Sequence, residues 1–213
     1  MNERLVWIDC EMTGLDYVVD ALIEIAVVVT DYDLNVLGDG IDLVIKPPAE
    51  ALDQMVDFVR SMHESSGLLT ELDEGITLEE AEQRVLAYVR EHCAEGSRPP
   101  LAGNTVGTDR AFISRDMKEL DAFLHYRIVD VSSIKELARR WYPRAYFAAP
   151  AKRGNHRALA DILESIEELR YYRAAVFVPS PGPDSAESKA LAVEHGGSLT
   201  GLGAGRPDGS PGA

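Results

Sequence analysis

Cysteine is scarce: 213 residues hold only Cys10 and Cys93. Two thiols so far apart build no disulfide framework and lack zinc-ligand spacing, which excludes a cross-linked secreted scaffold and a structural zinc domain. They fit a reducing compartment. Long apolar runs are also missing. The longest, residues 21–29, is broken by Glu24 and falls well short of the roughly 20 residues a bilayer crossing needs. No membrane partner is expected. Met1-Asn2-Glu3-Arg4 has no basic stretch backed by an apolar one, so the expected address is cytoplasmic. Basic residues are in short supply, 21 Lys and Arg against 36 Asp and Glu, for a formal charge of −15. A protein that holds long nucleic acid through many phosphates shows the opposite balance. Any work on nucleic acid must be local.

What is present describes a folded protein, with a hydrophobic share of 46 % and a charged share of 27 %. The composition changes after Val178. The last 35 residues, 179–213, hold 8 of the 17 glycines, 5 of the 11 prolines and no aromatic residue. They carry too little apolar surface to offset the entropy of ordering them. Residues 1–178 therefore read as the folded domain and 179–213 as a disordered tail.

Within the domain, apolar alternation marks strands at residues 5–9, 22–30 and 41–45. Thr77 and Glu80 form a capping box ahead of a helix running to about Cys93. A short strand at 101–103, a helix over about 109–120 and a strand at 127–131 follow. Ser133 and Glu136 then box a helix that Pro143 ends, and Leu159, Ile162, Leu163, Ile166 and Leu169 mark the last one. Short early connections imply antiparallel pairing, whereas strands separated by helices imply parallel crossovers. The fold class is α/β, a mixed five-stranded sheet with three antiparallel strands, then two parallel ones, flanked by helices.

Strand one ends in Asp9-Cys10-Glu11, and alternation turns both carboxylates to one face. Acid-x-acid pairs arise roughly six times by chance in a chain this acidic, so the pair means little alone. Its position raises it, because two unpaired charges at the end of a buried strand call for a cation. Asp109 opens a helix behind a glycine-flanked loop, where an N-cap is the plain reading. Asp161 borders the apolar stripe of the last helix and asks for a partner. His156 lies five residues earlier, about 140° away on a helix, so the two converge most easily if His156 stands at the helix start. A neutral imidazole there suits a general base, and a helix-end histidine is the alternative. Between Lys135 and Arg157 fall seven basic residues against Glu136 alone, interleaved with Trp141, Tyr142, Tyr146 and Phe147. That mixture suits phosphates and bases as well as a solvated helix face.

Taken together, Asp9-x-Glu11, Asp109 and His156-x-x-x-x-Asp161 resemble the motifs of the DEDDh 3′-to-5′ exonucleases. Residues 6–15, Gly103-Asn104, His125-Tyr126-Arg127, Asp130-Val131-Ser132 and residues 135–141 are similar to the oligoribonuclease family within them, over about residues 4–178. The resemblance implies a ribonuclease-H-like fold and a homodimer that shortens very short RNA, dinucleotides especially, from the 3′ end to nucleoside 5′-monophosphates. It implies Asp9, Glu11, Asp109 and Asp161 as ligands of two divalent cations, Mg²⁺ or Mn²⁺, with His156 taking the proton of the attacking water. It further implies Leu15 and Phe58 flanking the substrate bases, and His63, Thr105, Arg127 and Ser132 capping the 5′ phosphate with Tyr126 from the partner subunit. Family members often carry Trp at the place of Phe58 and Ser at that of Thr105.

Three rivals stay open. A proofreading or trimming enzyme of the same fold would act on longer strands and show a broader basic track. A silent nucleic-acid-binding module would have no reason to retain four acids and a histidine. A carboxylate metalloenzyme acting on free nucleotides would differ only in its pocket.

Overall fold

Short connections make the three early apolar segments fold back on one another. β1 (Leu5–Met12), β2 (Leu22–Thr30) and β3 (Val36–Val44) pair antiparallel, with Leu5 opposite Thr30 and Glu11 opposite Glu24. β4 (Pro100–Gly103) and β5 (His125–Asp130) join in parallel on the other side of β1, in the order β3-β2-β1-β4-β5. The computed structural model describes residues 3–151 and 157–196, and this sheet is the one expected. β1 lies at its centre. The C-terminal ends of β1 and β4 open at one edge, where the meander gives way to the crossovers, which is the usual place for a site in such a sheet.

Helices cover both faces. They are α1 (Ala49–Asp53), α2 (Asp57–Ser66), α3 (Leu78–His92), α4 (Gly107–Asp116), α5 (Lys118–Phe123), α6 (Val131–Trp141), α7 (Pro143–Phe147) and α8 (Ala158–Val176), with 3-10 turns at Leu68–Thr70 and Leu72–Glu74. The period-2 alternation of β1 sorts its side chains between two cores. Val6, Ile8, Cys10 and Met12 pack with Val85 and Val89 of α3 and Phe112 and Ile113 of α4. Leu5 and Trp7 pack with Ala138 of α6 and with Ile162, Ile166 and Tyr172 of α8. Trp7 is fully buried, and its Nε1–H donates to Thr30 Oγ1 at 2.9 Å. Each such side chain contributes about 1.5–3 kcal/mol by leaving water. The row that begins Leu5, Trp7 continues as Asp9 and Glu11, so two carboxylates emerge on the α8 side where that core ends.

Several boundaries differ from expectation, each for a visible reason. β5 runs into α6 without a loop. Its cap is therefore Asp130, whose Oδ1 accepts from the Ser132 N–H at 2.8 Å, and not Ser133. The single helix expected over 109–120 is two, divided at Met117, where the backbone leaves the helical region (φ −124°, ψ 67°). Pro143 does stop α6, but it also begins α7, as a residue with fixed φ and no N–H to satisfy is suited to do. Thr77 caps α3 by accepting from Glu80 N–H at 3.1 Å, while the Glu80 side chain turns to Arg84 instead of closing the box. Thr77→Ala is expected to cost about 1 kcal/mol, a fall of roughly 2–4 °C in Tm by calorimetry, with activity unchanged.

The chain divides into two compact units, Met1–Val176 and Phe177–Ala213. The second holds α9 (Ser185–His195), so the expectation of disorder does not hold for those residues. Asp184 Oδ1 accepts from Ala186 and Glu187 N–H groups, and Glu187 Oε2 accepts from the Asp184 N–H, a complete capping box. The glycines and prolines that dominate the segment's average flank this run of good helix formers. Among the described residues no helix is long and apolar enough to cross a membrane.

Candidate active site

Asp9 and Glu11 leave the end of β1 on the face that α8 covers, and Asp161 meets them from the first turn of α8. One carboxylate oxygen from each of the three lies within 4.8 Å of the others. Asp109 reaches the same place from the first turn of α4. Only 6 % exposed, it is not the N-cap of its helix, a position taken by Val106. Its Oδ1 accepts instead from the Cys10 N–H at 3.0 Å, because the ladder between β1 and β4 ends at Trp7 and leaves that amide open. The four acids share a cavity of about 470 Å³, arranged as a close trio with Asp109 beside it.

Charges of one sign gathered out of water hold their protons. Burial, then the charges of Glu24, Asp161 and Asp109, push Glu11 up to about 8 from its ordinary 4.5, and Arg157 pulls it partly back. Burial raises Asp109 to about 6 against the pull of its backbone hydrogen bonds. Hard oxygen donors this close, with Glu11 and Asp109 held back from ionising, fit a divalent cation of the Mg²⁺ or Mn²⁺ class.

The expected substrate residues fall into groups. Leu15 and Phe58, 76 % and 79 % exposed, line the cavity from the loop after β1 and from α2, with Val59 and Met62 beside Phe58. The loop of Leu15 is braced. Thr13 Oγ1 and Asp16 N–H donate to the Asp20 carboxylate at 2.9 and 2.8 Å, and Arg115 of α4 donates to the Asp20 and Tyr17 carbonyls. A Cβ at Gly14 would lie 2.3 Å from Asp20 Oδ2 and would displace that carboxylate from the brace. Thr105, at the far end of the cavity, has φ +53° and is held by Asp130 Oδ1 and Ser132 Oγ, which accept from its N–H at 3.0 and 2.9 Å. Ser132 Oγ also donates to Asn104 Oδ1, and Asn104 Nδ2 donates to Ser165 Oγ and Glu168 Oε2.

Other residues lie elsewhere. His63 is fully buried, with Nε2 2.9 Å from the Met12 carbonyl and Nδ1 3.9 Å from Glu11 Oε2. It stands behind the acids and does not line the cavity. Arg127 borders a separate cleft of about 490 Å³ with Arg4, Arg98 and His125, and its guanidinium carbon lies 5.5 Å from the ring centre of exposed Tyr126. His156, together with Lys152 and Arg153, lies outside the described residues. Of the basic stretch, Lys135, Arg140 and Arg157 are paired with acids of this chain, which reduces the charge available to a ligand.

Three residues of the site are not among those expected from the sequence: Asn104 and Ser165, which line the cavity, and Glu24, which holds the start of α8. Glu24 had left a signal, an acid inside the longest apolar run.

The family model described as Exonuclease matches residues 6–169. Oligoribonuclease of Streptomyces coelicolor is 67 % identical over 195 residues, covering 92 % of this chain and 98 % of that protein. Oligoribonuclease of Cutibacterium acnes is 59 % identical over 199 residues, 93 % and 98 % of the two chains. Among solved structures, exonuclease I of Methylocaldum szegediense aligns with a TM-score of 0.63 at 20 % identity, over 82 % of this chain and 41 % of its own. A zinc-bound E. coli exonuclease I in complex with single-stranded DNA aligns at 0.65 and 13 %, over 82 % and 41 %. This chain thus spans about two fifths of those longer proteins, and the likeness establishes the ribonuclease-H-like fold. With the full length of several curated relatives matched at this identity, the chain belongs to the exonuclease family and, within it, to the oligoribonucleases.

Proposed function

We propose that this chain, a hydrolase of the 3′-to-5′ exoribonuclease class, uses two divalent cations to cleave very short RNA, dinucleotides especially, into nucleoside 5′-monophosphates. The observation that carries the reading is the carboxylate trio within 4.8 Å at the floor of a cavity flanked by exposed Leu15 and Phe58. Asp9, Glu11 and Asp161, with Asp109 beside them, would hold the ions. When bound, such ions supply positive charge to the phosphoryl oxygens and acidify a water. His156 would take the proton of that water. Leu15 and Phe58 would hold the two bases apart at the scissile linkage. The Thr105 and Ser132 hydroxyls, 3.0 Å apart, would receive the 5′ phosphate and close the far end. A closed end explains why an acidic protein can do this work, since only one or two phosphates need to be held.

Tyr126 and Ile128 on edge strand β5, Leu137 and Trp141 on α6, Tyr142 at the junction and Phe147 on α7 leave apolar surface exposed. That surface supports a homodimer, in which Tyr126 would complete the partner's phosphate site. Buried free thiols at Cys10 and Cys93 suit a cytoplasmic enzyme.

The test offers 5′-labelled RNA of two to seven nucleotides with Mg²⁺, with Mn²⁺ and with chelator. Fastest release of monophosphate from the dinucleotide, abolished by chelator, is expected. A rate rising with length would transfer the site to a trimming enzyme, and hydrolysis of mononucleotides alone would transfer it to nucleotide chemistry.

A further inference from the structure

Glu24 interrupts the apolar row of β2 and is 0 % exposed, yet no step of the reaction uses it. Both of its oxygens are committed to the start of α8. Oε1 accepts from Arg157 Nε at 2.8 Å and Oε2 from the Ala158 N–H at 3.0 Å. The remaining arms of Arg157 donate to Glu71, Nη1 to Oε1 at 2.8 Å and Nη2 to Oε2 at 3.1 Å, on the turn that joins the two 3-10 segments. One guanidinium thus joins a buried strand carboxylate to a surface turn. Finally, the Arg157 carbonyl accepts the Asp161 N–H at 3.0 Å, which closes the first turn of α8.

The amides of a helix start need acceptors, and a local side chain normally supplies them. Here the acceptor comes from the sheet, from the cross-strand neighbour of Glu11. The arrangement therefore measures the distance between two parts of the acid trio. Glu24 fixes where α8 begins relative to β2, β2 fixes Glu11, and three residues after its start α8 presents Asp161. A slip of one residue at that start would turn Asp161 by about 100°. A lysine could not replace the arginine, because an ammonium is a point donor, whereas the planar fork engages both carboxylates in fixed directions.

We propose that Glu24, Arg157 and Glu71 form a clasp of positioning residues that sets Asp161 against Asp9 and Glu11 and so determines how tightly the site binds divalent cations. The inference rests on the reading of the trio as a metal site. It can be read out without turnover.

The test measures Mn²⁺ affinity of the full chain by calorimetry, together with kcat and KM on a 5′-phosphorylated diribonucleotide, for wild type, Arg157→Lys, Arg157→Gln and Glu71→Gln. Both Arg157 variants are expected to bind Mn²⁺ at least tenfold more weakly and to lose at least tenfold in kcat, with KM within threefold of wild type. Glu71→Gln, at a carboxylate in contact with solvent, should show the same pattern at about threefold. Arg157→Lys behaving as wild type would overturn the proposal, since charge alone would then suffice. So would a rise in KM with Mn²⁺ affinity and kcat unchanged, which would make Arg157 a substrate contact. Should the Arg157 variants fail to fold, Glu71→Gln decides, and wild-type Mn²⁺ affinity in that folded variant overturns the clasp. If the wild type binds Mn²⁺ and cleaves no RNA, the proposed function fails, while the order of Mn²⁺ affinities still judges the clasp.

Discussion

Asp161→Asn is expected to lower kcat on a diribonucleotide by about a thousandfold or more while raising the melting temperature in chelator. The two effects share a cause. Asp161 adds to the repulsion that keeps Glu11 protonated near neutral pH, so an uncharged carboxamide relieves the metal-free protein. The same change removes one of three carboxylate groups whose oxygens gather within 4.8 Å, and a neutral amide is a poor substitute for a hard anionic ligand. Loss of the site's charge stabilisation removes several kcal/mol from the transition state, where each 1.4 kcal/mol is tenfold in rate. Asp109→Ala and His156→Ala should also cost orders of magnitude in rate with the fold retained. A rate within tenfold of wild type for Asp161→Asn, at saturating Mn²⁺, would remove it from the proposed ligand set.

The second large effect is on stability. Glu11 titrates at about 8 and Asp109 at about 6 in the folded chain, both above their ordinary values. A carboxyl whose folded pKa is raised contributes stability that is complete below its unfolded pKa and is lost as pH rises through the folded one. Metal-free protein should therefore weaken as pH climbs from about 5 through 8, where proteins rich in paired carboxylates normally hold steady. Between pH 5.5 and 8.5 Glu11 alone costs roughly 3 kcal/mol at about 1.4 kcal/mol per unit, and Tm should fall by about 10 °C. Saturating Mn²⁺ takes the place of the protons and should flatten or reverse the slope. Scanning calorimetry at four pH values, with chelator and with Mn²⁺, measures both curves. A metal-free Tm constant across this range would show that the acids ionise without penalty and would undo the electrostatic picture of the site.

Chemistry encoded within a few residues of one another was readable before any coordinates. Asp9 and Glu11 share a face because strand alternation is strict, and the order of the sheet follows from which connections are short. Features made by distant contact were hidden. The approach of Asp109 to the Cys10 amide spans 99 positions and that of Arg157 to Glu24 spans 133, and no local pattern announces either. α1 and α2 escaped notice because five- and ten-residue helices leave little periodicity to detect. For that reason Phe58 and His63, both on α2, looked alike in the sequence, and burial separates them: the ring of Phe58 faces solvent, whereas His63 is sealed behind Glu11. α9 was masked by averaging, since a capping box is a local signal and glycine content is not.

The contrast between the chain's two tryptophans has a practical use. Trp7 is sealed inside the sheet two positions before Asp9, with its indole fixed on Thr30, while Trp141 stands in solvent at the end of α6. In a single, uncovered chain their emission should separate by colour, blue for the sealed ring and red for the wet one. An unmodified sample then carries two optical reporters: the blue band follows events at the acid end of the central strand, and the red band shifts when another molecule covers α6.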